Sequence, residues 1–150
     1  MRTYILLIII ITTCCNSCIY NCYESRFVLK QDVFMQPLYL LNTTEVSRID
    51  KIVNDSIDSL CKNVFYKEGY PIIPQEINNY YRQYSANINK TDTIVTVTFI
   101  HKNALPEFRI TEDKLRNEPI VIFDGGSLFW YIIINLHSSE ILKFQVNGYS

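Results

Sequence analysis

Two histidines are the side chains of this sequence best suited to acid–base chemistry, and neither lies in a catalytic motif. His101 follows a β-branched run, and His137 lies in a polar segment between two apolar ones. A nucleophilic triad needs one of them beside Ser127 or Cys61 and a carboxylate, and the spacing does not place these groups together. The chain has no His-Glu-x-x-His, Gly-rich phosphate loop or Gly-x-Ser-x-Gly motif. We predict no catalytic residue, metal site or cofactor, leave enzymatic activity open, and keep His101 as a candidate binding residue.

Three further side chains are candidates for ligand contacts. Asp124 precedes Gly125 and Gly126, and glycine lets a backbone approach a ligand closely. The alternative for Asp124 is a β-turn in which the carboxylate bonds its own backbone. Tyr81 and Tyr84 join the list because a cavity between a helix and a sheet would need polar side chains pointing into it.

One amphipathic helix is predicted from about residue 43 to residue 63. Its apolar residues recur at steps of three and four, as one face of a helix requires: Val46, Ile49, Val53, Ile57, Leu60 and Val64. The charged residues fall mostly on the opposite face. Asn42 can cap the helix, and Glu45 occupies the capping-box position.

Strands account for most of the remaining chain. The segment 77–88 fits a helix or a strand, and the polar turn 89–92 before a β-branched run favours a strand in a hairpin. Pro37 suits an edge strand. We read 102–117 as a loop and 128–136 as a central strand covered on both faces. The predicted strands are 27–41, 77–88, 93–100, 119–123, 128–136 and 141–146.

This order of elements predicts an α+β fold. One long amphipathic helix must bury its apolar stripe against one face of a sheet. We therefore expect the helix to pack on a curved antiparallel sheet, as in cystatin-like folds, with a signal segment in front. The predicted organisation is a signal region at 1–18, a tether at 19–26 and a single domain at 27–150.

The N-terminal residues have the pattern of an export signal. Arg2 precedes the apolar run 4–11, and small polar residues and cysteines follow. A cysteine in that place is typical of a bacterial lipoprotein signal, with Cys14 as the first candidate for lipidation and Cys18 as the second. The alternatives are an uncut anchor of about 20 residues and ordinary cleavage with release. We expect an exported protein, anchored in the membrane of the cell envelope and facing the periplasm or the outer surface.

Charge and cysteine content limit the other partners. The formal net charge is −1, and no basic stripe supports nucleic-acid binding. Cys61 is the one cysteine beyond the N-terminal group. It is predicted to be a small buried residue on the helix, and a bridge to Cys22 is the alternative in an oxidising compartment.

The second half of the chain resembles a family of short uncharacterised bacterial lipoproteins. The resemblance covers residues 75–149 and lies in four stretches: 81–84 (Tyr-Arg-Gln-Tyr), 94–99, 124–129 (Asp-Gly-Gly-Ser-Leu-Phe) and 144–148 (Phe-Gln-Val-Asn-Gly). It implies an exported location and an unassigned role. The shared motifs consist of turn-forming residues, so the resemblance assigns no functional residue in this chain.

Three functions follow as hypotheses. The first is a non-catalytic binding or inhibitor module with a protein partner at the envelope. The second is a small-ligand carrier or an enzyme that uses a cavity between helix and sheet. The third is a structural protein held by a single membrane span.

Overall fold

The computed structural model describes residues 25–32, 34 and 36–149 and has an α+β architecture. Its strands are β1 (Arg26–Val28), β2 (Tyr80–Asn89), β3 (Asp92–His101), β4 (Phe129–Asn135) and β5 (Glu140–Val146). Its helices are α1 (Thr43–Leu60), α2 (Ile73–Glu76), α3 (Ala104–Glu107) and α4 (Glu112–Asn117), with 3-10 turns at Ile77–Asn79 and Gly126–Leu128. The predicted signal region, with Cys14, Cys18 and most of the tether, lies outside the described residues.

The sheet is mixed, whereas we predicted an antiparallel one. Strand order in space follows the chain, and β2 to β5 form the expected antiparallel meander. β1 pairs parallel to β2, with Arg26 opposite Arg82. A parallel pair requires a crossover connection, and α1 lies in the connection between these two strands. Arg26, which we had placed in the tether, opens β1.

Helix α1 begins where its cap predicts. Asn42 accepts a hydrogen bond from the backbone N–H of Glu45 at 3.0 Å, and the Glu45 carboxylate accepts one from the N–H of Asn42 at 2.8 Å. This is the predicted capping box. The helix ends after 18 residues, three earlier than predicted, and Cys61 is its C-cap. Cys61 is a buried free thiol.

The main core lies between α1 and one face of the sheet. The apolar stripe of α1 packs on alternate residues of β2, β3 and β4, and the fully buried members include Ile49, Val53, Tyr84, Val95, Val97, Phe99, Ile132 and Ile134. Phe99 and Trp130 stack with ring centroids 3.6 Å apart. The space where we considered a ligand cavity is therefore filled with side chains.

The opposite face of the sheet is covered at one end only. There α3 and α4 help to close a second apolar cluster around Ile100, Leu115 and Phe129. The prediction of a loop at 102–117 was wrong, since both helices lie within it. The prediction that β4 is covered on both faces was also wrong, because Tyr131 and Ile133 are only partly buried.

Residues 119–123, which we call the strap, are not the predicted strand. The strap is held across the open face of the sheet by side chains. Gln83 accepts a hydrogen bond from the Ile120 N–H at 3.0 Å, and Asn147 donates to the carbonyl of Ile122 at 2.5 Å. Its backbone is thus bound without any strand pairing.

Candidate functional site

A cavity of about 480 Å³ opens at the end of the sheet where β3 leaves it. We call it the end cavity. It lies beside α2 and the start of α3, and its volume is in the range of small-molecule sites. It is lined by Gly69, Tyr70, Pro71, Ile72, Gln75, Glu76, His101, Asn103, Glu107 and Leu128.

Local chain geometry explains why these residues meet. Pro74 lies in the first turn of α2, where its missing N–H costs nothing. The short α2 and the 3-10 turn after it then lead the chain from Glu76 directly into β2. Because Tyr80, the first residue of β2, pairs with His101, the last residue of β3, Glu76 comes to lie beside the histidine.

His101 is held through both ring nitrogens. Its side chain is almost wholly buried, and its Nε2 lies 3.3 Å from Oε2 of Glu76. Its Nδ1 accepts a hydrogen bond from the Asn103 N–H at 3.2 Å. A neutral ring that accepts at Nδ1 carries its proton on Nε2 and donates it to the carboxylate. Neither nitrogen is then left to take a proton from a bound ligand.

Glu76 is an oriented carboxylate. Its Oε2 accepts from the Asn79 amide at 2.8 Å as well as from His101. These two hydrogen bonds, the Asn79 bond first, hold the pKa of Glu76 below its ordinary value. The side chain is 40% exposed, so the ionised group remains accessible from the cavity.

The other predicted site residues do not join His101. Tyr84 is fully buried on the helix side of the sheet, where its hydroxyl donates to Asp50 at 2.6 Å. Tyr81 lies on the other face and stacks on Phe27. Asp124 is exposed on the loop before Gly125, and its carbonyl accepts from Asn147. The structure thus separates the four candidates instead of gathering them.

A buried charge cluster was missed by the sequence analysis. Asp50 of α1 accepts from Arg26 and from Arg82, each at 2.5 Å, and from the Tyr84 hydroxyl. The Arg82 guanidinium also lies 5.3 Å from the ring centroid of Phe99. The signal was present in the helical pattern, since position 50 is four residues after Val46 and so lies on the buried stripe. The cluster joins α1 to β1 and β2.

The strap forms one wall of a second, mainly apolar groove. This groove has a volume of about 390 Å³ and runs over the open face of β3 and β4. Its wall carries Phe123, which is 88% exposed. Its floor includes Thr98 and Tyr131, and Tyr131 donates to Gln145 at 2.8 Å.

The described residues form neither a metal-binding cluster nor a membrane-spanning helix. Within 25–32, 34 and 36–149, no three His, Cys, Asp or Glu side chains converge in a way that could hold a metal ion. No helix in this part of the chain has the length and apolarity that crossing a bilayer requires.

Comparison with family models, curated proteins and solved structures finds no match to this chain.

Proposed function

We propose that the protein is an exported, membrane-tethered binding module whose ligand site is the end cavity. The observation that carries the proposal is a concave, largely polar cavity whose histidine and carboxylate are fixed by neighbouring groups. Sites that recognise a ligand combine such oriented polar groups with an apolar wall. Ile72 and Leu128 supply that wall.

Binding is favoured over catalysis by the state of the reactive groups. His101 has both nitrogens engaged, as described above. Ser127 directly follows Gly125 and Gly126. Its hydroxyl is fully buried and donates to the carbonyl of Pro71 at 2.6 Å. A nucleophile needs a free base within hydrogen-bond reach, and these two residues do not provide that pair.

A fragment screen that follows the NMR chemical shifts of the backbone amides tests the binding function. We expect hits whose shifts cluster at Tyr70, Gln75 and Asn103. Gln75→Trp, which fills the mouth of the cavity from an exposed position, should abolish them. Gln145→Trp, an exposed glutamine on β5, is the matched control and should leave them intact. A screen without hits at the cavity, or hits that survive Gln75→Trp, would refute the proposal.

Tethering is proposed from the N-terminal pattern. We propose lipidation at Cys14, with Cys18 as the second candidate. Mass spectrometry of the membrane fraction should find an N-terminal acyl-modified cysteine, and Cys14→Ser should release the protein while Cys18→Ser should not. The reverse result would move the anchor to Cys18. An intact N-terminus in the membrane would indicate the uncut anchor of a structural protein instead.

Partner recognition through the strap is the second candidate function. It is favoured by Phe123 and Val121, which are 88% and 53% exposed on one short segment. This surface would serve the binding or inhibitor role expected from the sequence. Site-specific crosslinking from Phe123 in intact cells should then yield an adduct that crosslinking from Ile88, exposed on the far hairpin, does not.

A cystatin-like relationship is also proposed for the fold. One helix across an antiparallel meander supports it, and the parallel pairing of β1 departs from the antiparallel sheet we expected. Such a relationship would concern the fold and would transfer no function.

A further inference from the structure

We propose that the end cavity selects ligands that carry an ammonium or guanidinium group. This inference rests on the proposed binding function and names the class of ligand. It follows from the charges of the cavity, from the orientation of one carboxylate and from the apolar wall beside it.

The charges that line the cavity are of one sign. Glu76 and Glu107 are both lining residues, and the described residues that line the cavity include no Lys or Arg. Two basic residues lie close to lining residues: Lys67, whose Nζ lies 5.8 Å from the ring centroid of Tyr70, and Lys102, which follows His101 in the chain. A concave site lined by one sign of charge raises the local concentration of the opposite sign. Cations are therefore favoured over neutral or anionic ligands of the same size.

Glu76 is prepared to accept a charged donor. Both of its internal hydrogen bonds, from Asn79 and from His101, go to Oε2. In the described part of the chain, Oε1 has no hydrogen-bond partner. The free oxygen of a fixed carboxylate can accept a charge-assisted hydrogen bond with little ordering cost. This orientation, made by a buried histidine, distinguishes Glu76 from an ordinary surface glutamate.

An organic cation fits this site better than a metal ion does. A protein zinc site takes three or four converging side-chain ligands, and no such group of three exists among the described residues. An alkylammonium needs one or two acceptors and an apolar wall for its carbon chain. Tyr70, Ile72 and Leu128 provide that wall.

Three five-carbon probes of equal length test the charge preference. They are cadaverine, which carries two ammonium groups, the neutral 1,5-pentanediol and the dianion glutarate. Each is titrated into the full chain while the amide shifts of Tyr70, Gln75 and Asn103 are followed. We expect cadaverine to bind at least about tenfold more tightly than the diol, as the loss of a charge-assisted bond predicts. Raising the salt concentration should weaken it.

Glutamine variants then show which carboxylates contribute to cadaverine binding. Glu76→Gln and Glu107→Gln should each weaken cadaverine binding several-fold and leave diol binding unchanged. Glu140→Gln, on an exposed hairpin, is the matched control and should have no effect. Equal or tighter binding of the diol or of glutarate at these amides overturns the inference and leaves the binding function standing. Absence of binding by all three probes, together with an empty fragment screen, would reject both.

Discussion

At the scale of single residues, Asp50 makes the strongest energetic prediction. Its carboxylate is buried and holds Arg26 and Arg82, so its removal takes the carboxylate partner from the buried Arg82 guanidinium. Breaking a buried pair in this way costs about 3–5 kcal/mol. Asp50→Ala should lower the free energy of unfolding by that amount in urea titration monitored by circular dichroism.

The same helix supplies the control for this prediction. Asp55 pairs with Lys51 at 2.5 Å, but both side chains are more than 60% exposed. An exposed pair of this kind contributes about 0.3–0.5 kcal/mol, so Asp55→Ala should change stability little. Similar losses in the two variants would show that the Asp50 cluster does not stabilise the fold.

The Asp50 cluster also shows how far single residues can be read from sequence. The stripe of α1 contains position 50, and burial could have been inferred from that spacing. Its partners could not, because Arg26 and Arg82 lie 24 and 32 residues away and reach it only once β1 and β2 pair in parallel. The neighbours of His101 escaped prediction for the same reason, since Glu76 meets it through strand register.

Two glycines give a second prediction at the residue scale. Gly126 has φ of +54°, and a Cβ there would lie 1.9 Å from the Tyr149 ring. Gly69 has φ of +84°, and no atom of the described residues lies within 4 Å of a Cβ placed there. Gly69→Ala should therefore cost only the left-handed backbone penalty of about 1–2 kcal/mol. Gly126→Ala should cost more and displace the Tyr149 ring, which ring proton shifts would report. Equal decreases in melting temperature for the two variants, together with unchanged ring proton shifts of Tyr149, would contradict this prediction.

At the scale of elements, the strap depends on Gln83. This fully buried side chain donates to the carbonyls of Leu115 and Glu118 at 2.8 Å and accepts from the Ile120 N–H. Gln83→Met keeps the volume, removes all three hydrogen bonds and leaves the buried Leu115 carbonyl without this partner, at a cost of about 1–3 kcal/mol. Hydrogen exchange of the Ile120 amide should accelerate by at least tenfold. Gln145→Met, on exposed β5, should leave that amide unchanged, and protection that persists in Gln83→Met would contradict the role of the side chain.

The elements themselves were predictable where their signals are local. The cap at Asn42 and the stripe of α1 define that helix within one segment of chain, and the turn at 89–92 defines the hairpin of β2 and β3. The strap has the composition of a strand, but a strand also needs a free neighbouring edge. Side-chain hydrogen bonds from Gln83 and Asn147 hold this apolar segment across the face of the sheet, where it has no strand edge to pair with.

At the scale of the whole molecule, burial of tyrosine predicts how the fold responds to alkali. Desolvation is the main cause that raises the pKa of Tyr66, Tyr80 and Tyr84 above the ordinary value of 10.0, and at Tyr84 the Asp50 carboxylate adds to it. When the pKa of a group is higher in the folded than in the unfolded state, its full contribution to the free energy of unfolding is present below the unfolded-state pKa. It is lost as the pH rises through the interval up to the folded pKa.

The free energy of unfolding should therefore stay nearly constant up to about pH 9 and fall above about pH 10. Each buried tyrosine contributes a slope of about 1.4 kcal/mol per pH unit in that range. Because the folded chain resists ionisation at these three positions, their tyrosinate absorbance should appear only together with the loss of circular dichroism. Tyr84→Phe removes one titrating group. The free energy of unfolding should then fall less steeply with pH, by about 1.4 kcal/mol per pH unit, even though the variant is less stable at neutral pH. Complete tyrosinate absorbance in a chain that keeps its circular dichroism would show that these rings are accessible, and the packing of the sheet against α1 would have to be reconsidered.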